Sequence, residues 1–107
     1  MSDEPIDVDT VIRRCIGGDA RARCSITRGA DTVTDWRLLI MAALLDSCPT
    51  RIEHALAACH TTRDRQVVAI AAAHLRGDYQ LVDALARDHL VDNPDSVLVA
   101  WIASGAA

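Results

Sequence analysis

An all-α fold of stacked antiparallel helical hairpins, either a short α-solenoid or a compact helical bundle, follows from three features of this chain. Apolar residues recur at helical spacing along most of it, while strand-like alternation is confined to a short run at residues 25–27. Turn signals separate the apolar segments: Gly17-Gly18, Ser47-Cys48-Pro49, Gly77-Asp78-Tyr79 and Asp92-Asn93-Pro94-Asp95. Helices apolar on nearly all sides (35–46 and 64–76) alternate with two-faced ones (50–60 and 79–91), as when helical hairpins stack side by side.

Residues 1–5 read as a disordered start. A short helix is predicted over 6–16, with Val8, Val11, Ile12 and Cys15 on one face, and Gly17-Gly18 ends it. Residues 19–27 have poor amphipathicity and read as a short helix, followed by a loop over 29–33. Thr34, or Thr32 with Asp35 three residues on, opens the helix 35–46 through a capping pattern. Thr50-Arg51-Ile52-Glu53 is a second capping box, and Ile52, Ala55, Leu56 and Cys59 give the helix that follows one apolar stripe.

Thr61 or Thr62 caps the helix 63–76. Gly77 suits a left-handed C-cap, which glycine adopts without a Cβ penalty. Over 79–91 Val82, Leu85, Ala86 and His89 face inward, and Gln80, Asp83, Arg87 and Asp88 face outward. Asn93 reads as an N-cap with Pro94 as the first residue of a last helix, 94–104, whose apolar stripe is Val97, Leu98 and Trp101.

The 107 residues make one domain with a modest core. Phe is absent, Tyr79 is the one tyrosine and Trp36 and Trp101 are the tryptophans, so Ala, Leu, Val and Ile must build that core. The formal charge of −4 is striped. Asp3, Glu4, Asp7 and Asp9 precede a cluster of Arg13, Arg14, Arg21, Arg23 and Arg28, and Asp78, Asp83, Asp88, Asp92 and Asp95 come later. The acidic start does not suit an export signal, and the longest apolar run, 38–45, is far shorter than the ~20 residues of a membrane span. A cytoplasmic location is expected, with Cys15, Cys24, Cys48 and Cys59 as reduced thiols.

The segment 64–94 resembles one tetratricopeptide-type repeat. That family places a Gly-Asp-Tyr-like turn between two helices and a proline after the second, and Gly77, Asp78, Tyr79 and Pro94 stand at matching spacing. The resemblance implies an antiparallel helix pair that stacks on its neighbours to form a concave groove for peptides or protein surfaces.

Candidate functional residues follow from these readings. Val97, Leu98 and Trp101 form an apolar stripe with no later helix to cover it, expected to make a homodimer or seat a protein partner. Arg13, Arg14, Arg21 and Arg23 could orient such an interface. No catalytic motif, phosphate-cradling loop or cofactor signature is present in the sequence, and neither membrane nor small-molecule partner is implied. The spacings among four Cys and four His do not match a structural zinc site. Two alternatives carry residues of their own: a thiol or metal-responsive sensor using Cys48, Cys59 and nearby His, and a nucleic-acid accessory protein using the arginines of 13–28. No aromatic residue interleaves with those arginines, which argues against single-stranded nucleic acid.

Overall fold

The computed structural model describes residues 8–29 and 35–105. The readings of residues 1–5, of Thr32 and Thr34 as caps and of a loop beyond Gly29 lie outside the described residues. Within them the chain is all-α: α1 (Val8–Ile16), α2 (Ala20–Gly29), α3 (Trp36–Asp46), α4 (Pro49–Ala58), α5 (Thr62–Leu75), α6 (Tyr79–Asp92) and α7 (Val97–Ala103). No helix among them is long and apolar enough to cross a membrane.

The turns explain where the helices stop. Gly77 has φ of +77°, its N–H donates to the His74 carbonyl at 3.0 Å, and the Asp78 N–H donates to the Ala73 carbonyl at 3.0 Å. Two carbonyls that α5 would leave without partners are thereby satisfied. Gly18, at φ +87°, ends α1 in the same way: its N–H reaches the Cys15 carbonyl and the Asp19 N–H the Arg14 carbonyl. Ser47 terminates α3 in this left-handed region without being glycine, at φ +52°.

Caps differ from expectation in three places. Asp35 is itself the N-cap of α3, its carboxylate accepting the Arg37 N–H at 2.9 Å. The helix α4 begins at Pro49, whose missing N–H costs nothing in a first turn, so the Thr50 capping box is not used and no side chain caps that end. Asn93 does not start the last helix. Its Nδ2 donates to the His89 carbonyl at 3.2 Å, closing α6, and α7 begins only at Val97. Thr61 caps α5 as expected, accepting the Asp64 N–H at 3.1 Å.

Packing follows a repeating order. The odd helix α1 meets α2 and α3, α3 meets α4 and α5, and α5 meets α6 and α7. Each even helix also touches the odd helix after it. One further contact, α1 against α7, joins the ends, so α1, α3, α5 and α7 form a closed circuit of four helices with α2, α4 and α6 outside. The largest fully buried side chains all come from this circuit: Cys15, Ile40, Met41, Ile70, Val99 and Ile102. Each such aliphatic side chain contributes about 1.5–3 kcal/mol on leaving water.

The two helices read as most buried are α3 and α5. Leu39 to Ala43 of the first and Val67, Val68, Ile70, Ala71 and Ala73 of the second are buried. On α4, Leu56 departs from its predicted stripe and is 48% exposed.

Candidate binding cleft

Because the four odd helices converge, their first turns meet at one end of the circuit. Between them lies a cleft of about 360 Å³. Its apolar surface comes from Ile12 of α1, Trp36 of α3, Val67 of α5 and Val97 and Leu98 of α7. Asp9, Arg37, Arg63, Asp64 and Asp95 supply charge, and His89 and Asn93 close it from the last turn of α6.

Two of the charged groups are paired locally. Arg37 folds back on the capping Asp35, Nη2 to Oδ2 at 3.3 Å, and Arg13 engages Asp9 from one helical turn away at 2.9 Å. Asp64 sits in the first turn of α5, where a carboxylate complements the helix dipole. Among the described residues neither Asp64, Asp95 nor Arg63 has a salt-bridge partner.

His89 is 4% exposed and is the buried polar residue among the described residues. Its Nδ1 lies 3.2 Å from Gln66 Oε1, an oxygen that can only accept, so Nδ1 carries the ring hydrogen. Nε2 then holds a lone pair and makes no hydrogen bond to a described residue. Burial pushes the His89 pKa below its ordinary 6.5, the Arg63 charge adds to this and Asp92 opposes it, so the ring is neutral at pH 7. His89 also forms one wall of a second cavity, about 220 Å³, between α5 and α6 with Gln66, Ala69 and Leu85.

The sequence-predicted interface residues divide between core and surface. Trp101 and Leu98 are 7% and 6% exposed within one chain, in a core cluster against which Val8 and Val11 of α1 pack. The stripe expected to be uncovered is thus closed within the chain, where α7 meets α1, α5 and α6, and of its residues only Val97 and Leu98 line the cleft. Arg23 is half-buried and donates from Nε to the Cys15 carbonyl at 2.8 Å, holding α2 on the end of α1. Arg13 is exposed with its Asp9 partner, and Arg14 and Arg21 lie on the surface.

The residues named for a thiol or metal-responsive sensor are not gathered into one cluster. Cys59 is buried, its Sγ donates to the Ala55 carbonyl at 3.2 Å, and burial, helped by Asp64, pushes its thiol pKa up. Cys48 lies at the start of α4, and His54 and His60 are exposed. Among the described residues no three His, Cys, Asp or Glu side chains are placed to hold a metal ion. His74 meets the Tyr79 ring edge-on at 5.5 Å, while His89 turns to Gln66.

Sequence reasoning missed Trp36, Arg37, Arg63 and Asp64 as one site. The signal was their shared position, each in the first turn of an odd helix, but using it required the α1–α7 contact.

Comparison with known proteins finds no matching family model, no similar curated protein and no similar solved structure.

Proposed function

We propose that this chain is a helical-repeat interaction module that binds a segment of a partner protein in the cleft between α1, α3, α5 and α7. The observation that carries this reading is the convergence of four first turns on one cleft with an apolar floor and a charged rim. Its volume lies at the lower end of the ~300–1,000 Å³ typical of ligand sites, which suits a few side chains of a peptide. The repeating contact order supports the tetratricopeptide-type reading, as does the Gly77-Asp78-Tyr79 turn.

The reading is of binding rather than catalysis. The partner is a separate protein, because the stripe that suggested a homodimer is spent on the chain's own core. Four cysteines held as free thiols fit a reducing compartment such as the cytoplasm.

A displayed peptide library selected against the folded protein tests this. Enriched peptides should shift the emission of Trp36, which lines the cleft, and leave that of buried Trp101 unchanged. They should lose binding to Val97→Arg, which fills the cleft from its edge, at an unchanged melting temperature. Enriched peptides that bind Val97→Arg as well as the wild type would place the binding surface elsewhere and defeat the proposal.

A further inference from the structure

We infer that the cleft selects a partner segment by a basic side chain, arginine or lysine, seated against Trp36 between the carboxylates of Asp64 and Asp95, with one N–H directed to His89 Nε2. This deepens the peptide-groove reading and rests on it.

Charge comes first. Arg37 is answered by Asp35 and Asp9 by Arg13, so neither supplies much net field at the cleft. The charges with no salt-bridge partner among the described residues are Asp64, Asp95 and Arg63, which leaves an excess negative charge. Arg63 lines the cleft close enough for its charge to lower the His89 pKa, so the incoming cation displaces it, its exposed long stem turning to solvent. Asp64 and Asp95 are carried on short side chains, at a helix start and beside a proline, so their charges stay near the backbone.

His89 points the same way independently. It is a nearly sealed polar side chain that lines both this cleft and the neighbouring cavity; its Nδ1 hydrogen faces Gln66, and the acceptor Nε2 has no partner among the described residues. A neutral ring in that tautomer answers a donor and repels an oxyanion. Guanidinium and ammonium groups carry several donors and no acceptor, so they satisfy the carboxylates and the imidazole together. The half-buried Trp36 ring adds a face that attracts a cation, worth about 0.5–1 kcal/mol at exposed sites and more when desolvated. The apolar floor of Ile12, Val67 and Leu98 then takes the methylene stem or a neighbouring aliphatic residue.

The test begins with the peptides enriched from the displayed library. A basic residue should recur at one position, and replacing it by citrulline, which keeps the shape and removes the charge, should weaken binding about tenfold, equivalent to ~1.4 kcal/mol. Glutamate there should abolish binding. Asp64→Asn with Asp95→Asn should reduce affinity for the arginine peptide much more than for the citrulline peptide, so that the difference between the two peptides shrinks. If cleft-bound peptides lack a basic residue, or tolerate glutamate, the inference is overturned while the peptide groove stands. If no peptide perturbs Trp36, both fall together. The citrulline comparison needs no protein variant, so it decides even if the double substitution fails to fold.

Discussion

Gly77→Ala tests the turn that links α5 to α6, because the structure separates its two costs. An added Cβ would meet no atom within 4 Å, so there is no packing penalty. The backbone is the whole expense: at φ +77° an L-residue is strained by about 1–2 kcal/mol. Alanine also restricts the unfolded chain, which returns about 0.4–1 kcal/mol. The net expectation is a loss of about 0–1.6 kcal/mol, centred near 0.8, or a few degrees in melting temperature for a domain of this size. Valine, β-branched, should cost more, about 1–3 kcal/mol. Ser47→Gly is the mirror experiment, since Ser47 holds φ +52° at the end of α3 and glycine relieves the same strain. Thermal melts followed by helical circular dichroism give both values. An unchanged or raised midpoint for Gly77→Ala, with Ser47→Gly unchanged or lowered, would refute the argument that these turns are held against strain.

Trp101→Asp should unfold the chain rather than dissociate a dimer. Truncating a buried tryptophan alone costs about 3–5 kcal/mol, and a buried carboxylate adds to that, so the helical signal at room temperature reports it. Stability should fall in mild acid through His89: its folded pKa lies below the unfolded value, so the unfolded chain binds the proton first. That contribution is complete above about pH 6.5 and declines as the pH drops through the folded pKa, which denaturant midpoints across this range will show, with the decline reduced in His89→Gln. Toward a thiol reagent, exposed Cys24 should react fast, while Cys15 and Cys59 should stay slow until the protein unfolds, being buried with thiol pKa values pushed up by that burial.

The elements were legible because local rules decide them. Period 3.6 places Ile12 and Cys15, or Val82, Ala86 and His89, on one face, and those residues are buried. Gly77 could be read because few other residues take its conformation. Caps were less legible where two candidates lay close together. Pro49 opened α4 ahead of the Thr50 box, and Asn93 found the His89 carbonyl behind it before any N–H ahead. The position of Trp101 was not readable. The apolar face of α7 matches a partner helix equally well from the same chain or another, and only the return of α1 to α7 chooses. The cleft shares that dependence, since Trp36, Arg63 and Val97 are each unremarkable first-turn residues until their helices are brought side by side.

The carboxylates at that end serve both folding and the proposed recognition, and the two roles separate by magnitude. Four helix starts converging would concentrate positive dipole ends, and Asp9, Asp35 and Asp64 lie where they offset this. Near a helix start such a charge stabilises by only about 0.3–1 kcal/mol, and solvent access at the cleft reduces it further. Asp95 lies before the N-cap of α7 and caps nothing. Removing the charges of Asp64 and Asp95 should therefore cost little stability, yet it removes the excess that favours a cation. His89 cannot be separated in this way, because its ring is packed between α5 and α6 and its replacement disturbs both cavities it lines. Recognition is thus best probed at the two aspartates, while losses at His89 will mix packing with binding.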